Sequence, residues 1–242
     1  MNDVMRQFYN YSNPYNQYFT NSQWNNYLDN ENAVHGLSNC FCKKSFLRVL
    51  NTYDDTLDVQ INDIIMAENL KAGDFTRYVK FEPGTYHMKI YVSEPKKLVF
   101  ESAIDIDQNL AYTGAISQDD ADKTDISVLI IPEAREYANK GKMTGIRLIN
   151  LAADTPDLEL AVTDGAVIFS GINYGDVSNN VAVPSGLYKL LLREKESKKE
   201  VKTMNIDFAP SMHYTLFVAG EYDNNNIKII IPEDGVNYLE LC

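Results

Sequence analysis

From Phe46 onward the chain is built of short runs that alternate apolar and polar side chains. Leu57-Asp58-Val59-Gln60-Ile61 and Tyr86-His87-Met88-Lys89-Ile90-Tyr91-Val92 are two of them. An extended chain turns successive side chains to opposite faces, so this period predicts half-buried β-strands. Gly, Asp, Asn and Pro punctuate the runs every 8–12 residues, as turns require. Helical periodicity is weak. Its best case is Pro132-Glu133-Ala134-Arg135-Glu136-Tyr137-Ala138-Asn139-Lys140, with Pro in the first turn and Gly141 as a stop. That stretch predicts a short linker helix.

The pattern occurs twice. Leu47-Arg48-Val49-Leu50-Asn51 returns as Ile146-Arg147-Leu148-Ile149-Asn150. Asp55-Thr56 with Asp58-Val59-Gln60-Ile61 returns as Asp154-Thr155 with Asp157-Leu158-Glu159-Leu160. Gly73-Asp74 matches Gly175-Asp176, and Phe81-Glu82-Pro83-Gly84-Thr85-Tyr86 matches Val183-Pro184-Ser185-Gly186-Leu187-Tyr188. Ile104-Asp105-Ile106, Tyr112-Thr113 and Ile130-Ile131-Pro132-Glu133 recur as Ile206-Asp207-Phe208, Tyr214-Thr215 and Ile230-Ile231-Pro232-Glu233. An ordered series of this length marks an internal repeat. Roughly seven strands in about 100 residues is the density of an immunoglobulin-like sandwich. The expected fold is therefore all-β, with two tandem immunoglobulin-like β-sandwich domains over 46–140 and 141–242. Gly84 and Gly186 are expected to turn the chain into a central strand. Tyr86 and Tyr188 would then bury their rings and keep their hydroxyls at an edge. The Asp55/Asp154 and Asp58/Asp157 pairs are expected to organise turns through side-chain-to-backbone bonds.

Residues 1–45 read differently. Of the first 30 residues, 16 are Asn, Tyr or Gln, and aliphatic side chains are nearly absent. Such a segment buries too little apolar surface to offset the entropy of ordering, so it is expected to be a disordered, association-prone tail.

The second copy resembles a bacterial family, the domain of unknown function numbered 4397. Asp154-Thr155-Pro156-Asp157-Leu158, Tyr174-Gly175-Asp176-Val177-Ser178 and Val183-Pro184-Ser185-Gly186-Leu187-Tyr188 carry the resemblance. The first copy departs from it, lacking the proline and placing Phe75-Thr76 where Val177-Ser178 stand. The resemblance spans about 190 residues without the tail. It implies tandem sandwich modules of the kind found in surface proteins, and it implies no catalytic residue.

Composition narrows the function classes. Apolar residues at 45% and charged residues at 23% suit a folded protein with a sizeable core. A net charge of −12 opposes phosphate backbones and anionic membranes. The basic cluster Arg193, Lys195, Lys198, Lys199 and Lys202 is interleaved with Glu194, Glu196 and Glu200 and reads as a solvated hairpin tip. No apolar run is long enough to span a membrane, and the first residues do not resemble a secretory signal. Nucleic acid and membrane insertion are thus not expected.

Catalytic signatures are scarce. His35, His87 and His213 stand apart from one another and from the cysteines, so no metal set is expected. Asp119, Asp120, Asp122 and Asp125 could offer oxygens to Ca²⁺, but they lack the Gly and Glu of an EF-hand loop and read better as a hairpin loop. There is no nucleophile elbow and no phosphate-cradling loop. No enzyme and no cofactor is expected. The three cysteines, Cys40, Cys42 and Cys242, all flank the repeats. Sandwiches placed in series would hold Cys242 away from its own Cys40 and Cys42, leaving it to those of the next molecule. The sequence thus points to a non-enzymatic structural protein. It would be a self-assembling subunit of a spore coat, a spore appendage or a cell-surface layer, linked by intermolecular disulfides at Cys40, Cys42 and Cys242. Its partners would be copies of itself or other coat and surface proteins. Its place would be a spore or bacterial surface reached without a secretion signal, or otherwise the cytoplasm. The alternative is a surface adhesion or carbohydrate-binding module.

Overall fold

A computed structural model describes residues 44–122, 124–134, 141–163 and 165–241. The tail expected over 1–45 lies outside them save for Lys44 and Ser45, and Ser45 already opens the first strand. Cys40, Cys42 and Cys242 also lie outside the described residues.

The first repeat contains β1 (Ser45–Asn51), β2 (Leu57–Ile61), β3 (Ile64–Leu70), β4 (Val79–Phe81), β5 (Gly84–Val92), β6 (Lys97–Ile106), β7 (Ala111–Gln118) and β8 (Ile126–Pro132). The second contains β9 (Met143–Asn150), β10 (Leu158–Val162), β11 (Val167–Ile172), β12 (Val181–Pro184), β13 (Gly186–Glu194), β14 (Glu200–Phe208), β15 (His213–Ala219) and β16 (Lys228–Ile230), then a 3-10 turn at Gly235–Asn237. Each repeat folds into two four-stranded sheets. In the first they run β4-β1-β7-β8 and β3-β2-β5-β6; the second repeats this order as β12-β9-β15-β16 and β11-β10-β13-β14. Two β-sandwiches are therefore present, with eight strands each among the described residues rather than about seven. Of the expected linker helix, Pro132 instead closes β8 opposite Tyr112. Glu133 and Ala134 are not helical, and the rest lies outside the described residues.

The outer sheets follow the alternation that predicted them. In β2, Leu57, Val59 and Ile61 are buried while Asp58 and Gln60 are half-exposed. The inner sheets do not alternate. Apart from one residue each, β1, β7, β9 and β15 are buried throughout. They also form parallel pairs, β1 with β7 and β9 with β15, and parallel strands are typically covered on both faces. One face belongs to the repeat's own core: Leu47, Val49, Met88, Ile90 and Ile116 in the first, Ile146, Leu148, Leu190, Leu192 and Leu216 in the second. The other face meets the other repeat. Leu50, Ala115 and Ile131 join Ile149, Leu151 and Phe217 in a third core, with Phe75 and Val177 packed against it. The Phe75 and Phe217 rings are 6.5 Å apart. The repeats are thus stacked through their inner sheets in four layers, not strung in series as the sequence suggested. Each fully buried aliphatic side chain contributes ~1.5–3 kcal/mol, so this third core is a major term in the fold.

Both repeats build the same corner after their first strand. The Asn51 side chain donates to the carbonyls of Asp55 (2.8 Å) and Leu70 (2.9 Å) and accepts the N–H of Tyr53. Asn150 donates to Thr155 Oγ1 (2.6 Å) and accepts the N–H of Ala152. The N–H groups of Gly73 and Gly175 close on the Asn51 and Asn150 carbonyls at 2.7 Å, with φ of +90° and +78° that favour glycine. Thr76 Oγ1 accepts the Val49 N–H (2.9 Å), as Ser178 Oγ accepts that of Leu148 (2.8 Å). The repeated asparagines build these corners. Asp58 takes the Asn69 N–H of β3 together with the Ser93 hydroxyl and Lys96 of the turn after β5, and these bonds hold its carboxyl below the usual range. Tyr86 and Tyr188 behave as expected: their rings lie on Phe81 and Phe208, and their hydroxyls donate to the carbonyls of Glu82 and Pro184.

Asn51→Ala and Asn150→Ala are each expected to cost about 1–3 kcal/mol, because each strands buried polar groups. Urea denaturation checks this, and a loss within error of zero for both would remove the asparagine corners as determinants of the fold.

Candidate functional site: a buried charge cluster between the repeats

The conspicuous chemistry lies on the buried faces of the inner sheets. Arg48 in β1 and Arg147 in β9 are 4% and 6% exposed. Each donates through Nε to a threonine of the neighbouring strand, Arg48 to Thr113 and Arg147 to Thr215, both at 2.9 Å. Each then reaches across to the other repeat. Arg48 Nη1 donates to the carbonyl of Glu233 (2.9 Å), and Arg147 Nη1 to that of Pro132 (2.7 Å). The two arginines form reciprocal clamps on the Ile-Ile-Pro-Glu run that ends each copy.

Two carboxylates accompany them. Arg48 Nη2 lies 3.5 Å from both Glu133 Oε1 and Asp234 Oδ1. The Arg48 guanidinium also covers the rings of Phe75 (5.0 Å) and Tyr78 (4.8 Å). Glu133 receives the Tyr78 hydroxyl on one oxygen and the Val236 N–H on the other (3.0 Å). Gly235 N–H donates to Tyr78 Oη (3.0 Å). Thr215 links the halves, taking Arg147 on its oxygen and giving its proton to Asp234 Oδ2 (2.9 Å). His213, 2% exposed, sits against Gly145, where a Cβ would fall 2.4 Å from its Nδ1. Both of its ring nitrogens and the Nη2 atoms of Arg48 and Arg147 make no hydrogen bond.

Electrostatics follow from this burial. Desolvation and the neighbouring Asp234 push the Glu133 carboxyl up to about 7, against the pull of Arg48, Tyr78 and Arg147. Desolvation and the Glu133 charge push the Tyr78 phenol far up, so it remains a donor. Burial drives His213 down, aided by Arg147 and opposed by Asp234, which favours a neutral imidazole. Cationic guanidinium groups sit where a metal ion would have to bind, and none of the described residues forms a metal-holding group of three or more His, Cys, Asp or Glu. With its groups buried, the cluster ties the two repeats to each other through bonds that cross the seam.

The other expected positions are scattered. Asp119 and Asp122 turn their oxygens inward on the β7–β8 loop, to the N–H groups of Ala121, Asp122 and Thr124. Asp120 accepts the Asp154 N–H from the second repeat (2.9 Å). His87 is exposed on β5, and His35 lies outside the described residues. The basic tip after β13 is paired with acids: Lys198 with Glu159 (3.1 Å), Lys199 with Glu194 (3.3 Å) and Lys195 with Asp157 (3.5 Å). Arg48, Arg147, Glu133 and Tyr78 were given no role by the sequence. The signal available was an arginine recurring inside an otherwise apolar strand.

The profile of a domain of unknown function, DUF4397, matches residues 45–161 and again 144–238. The chain belongs to the DUF4397 family. The two matches overlap: the second falls on the second sandwich, and the first covers the first sandwich and runs on into β10. No curated protein matches the sequence at a significant level. Among solved structures, the TIE protein of Bacillus anthracis is similar at 10% identity and a TM-score of 0.24, over 74% of this chain and 32% of that one. This chain thus spans about a third of the length of that protein. A family 26 carbohydrate-binding module from Eubacterium rectale Amy13K, solved with maltoheptaose, shows 9% identity and a TM-score of 0.24, over 77% and 95% of the two chains. An α-glucan-binding streptococcal virulence factor shows 11% and 0.25, over 81% and 99%. Similarity this loose carries no weight for the DUF4397 chain.

Removing the Arg48 charge by Arg48→Met leaves Glu133 and Asp234 facing each other, and is expected to cost ~3–5 kcal/mol. Adding Glu133→Gln should recover part of that loss; a double variant no better than the single one would break the pairing. Glu133 also predicts a pH dependence. Its folded value is raised, so its contribution is fully present below the unfolded carboxyl range and is lost as pH rises through about 7. His213 has the opposite sign, losing stability as pH falls below the ordinary imidazole value. Urea midpoints between pH 6 and 8 should fall with pH in the native chain and flatten in Glu133→Gln.

Proposed function

We propose that this chain is a non-enzymatic surface module for adhesion or ligand binding, with its two sandwiches acting as one block. The stacking carries the reading. It seals the inner sheets against each other and leaves the outer sheets, β3-β2-β5-β6 and β11-β10-β13-β14, at opposite ends of the block. Their outer faces display side chains on regular strands. His87 and Lys89 stand beside Tyr91 on β5, where Lys96 covers the Tyr91 ring at 5.4 Å. On β13, Leu187 is 83% exposed next to Lys189. Flat, evenly spaced contacts of this kind suit an extended partner such as a polysaccharide or another surface protein. The reading needs no cofactor, nucleic acid or membrane insertion. It takes residues 1–45 as a tail and 46–140 and 141–242 as the two units, on a bacterial surface.

A second reading, a self-assembling subunit of a spore coat, spore appendage or surface layer, is favoured by sheet edges that no strand covers among the described residues. Ile65 in β3 is 63% exposed and Val167 in β11 is 44% exposed, and an apolar edge strand invites pairing with another chain.

Screening the purified chain against immobilised surface polysaccharides and surface proteins decides between them. The first reading expects retention on at least one, weakened about tenfold, or about 1.4 kcal/mol, by Tyr91→Ala with Leu187→Ala. No retention, together with concentration-dependent assembly abolished by Ile65→Lys, would replace it with the second.

A further inference from the structure

The two arginines of the seam sit in matching frames with unlike surroundings. Arg147 bonds Thr215 on the neighbouring strand as Arg48 bonds Thr113. The N–H of Asp234 donates to the His213 carbonyl as that of Glu133 donates to the Ala111 carbonyl. Yet both acids lie on Arg48, each with an oxygen 3.5 Å from its Nη2. Among the described residues no carboxylate comes within ion-pairing distance of Arg147, although Glu133 is near enough to feel its charge. Arg147 is buried, and its Nη2 makes no hydrogen bond.

The side chains beside Arg147 bring nitrogen rather than oxygen. Gly145 precedes it by two residues on β9, so the two positions share a strand face. On β15 they stand opposite His213 and Thr215. The first repeat has Phe46 opposite Ala111 at the matching place, so the second repeat exchanges a ring and a methyl group for an imidazole over a glycine. A Cβ on Gly145 would fall 2.4 Å from His213 Nδ1 and 3.1 Å from Asn180 Nδ2. Those two nitrogens therefore approach one point, on the face that carries Arg147. The His213 backbone is held there, its N–H donating to Asn237 Oδ1 and its carbonyl accepting from Asn237 Nδ2. Its ring is buried, and neither ring nitrogen has a partner. A neutral imidazole still carries one N–H. An unmet donor in buried surroundings is costly, and a cation without a counter-charge is costlier.

We propose that the Arg147 side of the seam binds a small monovalent anion of the size of chloride, with Arg147 Nη2 as its cation and a His213 ring N–H and the Asn180 amide as further donors. The ion does for Arg147 what Asp234 and Glu133 do for Arg48, and it strengthens the docking of the repeats. The charge balance of the seam agrees. Arg48, Arg147, Asp234 and Glu133 are its charged groups, with Tyr78 and His213 titratable beside them. Below about pH 7 Glu133 takes up a proton, and two guanidinium groups then face one carboxylate.

The test follows thermal unfolding of the full chain at pH 6 and constant ionic strength, with sodium gluconate replaced stepwise by sodium chloride. Chloride should raise Tm saturably, by roughly 3–6 °C at ten times its Kd. Arg147→Met should lose the response, and Lys71→Gln, which removes an exposed cation, should keep it. Bromide in crystals of the native chain gives a reading that needs no variant: its anomalous scattering should place it against Arg147 Nη2 and His213. Equal Tm in the two salts, a response that survives in Arg147→Met or is lost equally in Lys71→Gln, or bromide confined to the surface would each overturn the proposal. None of these outcomes bears on polysaccharide retention, which tests the module reading separately.

Discussion

Two β-sheets that bury both faces must solve a polar problem, and the solution at the seam between the repeats governs the rest of this structure. Leu50, Ile131, Ile149 and Phe217 exclude water from the seam, which makes every polar group there answerable to a protein partner. The arginines supply most of the answer. Arg48 and Arg147 each satisfy a threonine on their own side and a terminal carbonyl on the other. A buried ion pair adds little net stability by itself, since desolvation opposes attraction. Its stronger effect is on geometry. A slip between the sheets would strand a guanidinium and two carboxylates in apolar surroundings, so the alignment of the sheets is held by the cost of error.

Much of the fold could be read from the chain because the outer strands obey local rules. Leu57-Asp58-Val59-Gln60-Ile61 alternates because one face of β2 is wet and the other dry, and the duplicated glycines and asparagines mark corners whose bonds are local. The inner strands gave a poorer signal. Leu47-Arg48-Val49-Leu50-Asn51 reads as one apolar run with a charge in it, and nothing local distinguishes a strand covered twice from one covered once. The same limit explains the missed cluster. Glu133 and Asp234 are 101 residues apart in the chain, and their meeting at Arg48 depends on how the repeats dock. Asp58 was only half legible for a related reason: it has the composition of a residue that serves its own turn, yet its partners are Asn69 in β3 and Ser93 in the turn after β5.

The seam is only approximately symmetric, and the asymmetry has a covalent origin. The first copy's Ile-Ile-Pro-Glu run must lead onward toward β9, whereas the second copy's run continues into a segment free to fold back. That segment brings Asp234, Gly235 and Val236 to Tyr78 and Glu133. Both carboxylates consequently collect on Arg48, while Arg147 is left with a carbonyl and a threonine. The repeats differ at matching positions in the same sense. Phe75 and Tyr78, which lie under the Arg48 guanidinium, stand where the second copy has Val177 and Asn180. Aromatic faces stabilise a cation that has lost its water, so the richer surroundings of Arg48 fit its place among the acids. The present chain concentrates its charge at one arginine, and Tyr78, one of the rings that cover that charge, is also where Gly235 and Tyr238 of the second repeat come to rest.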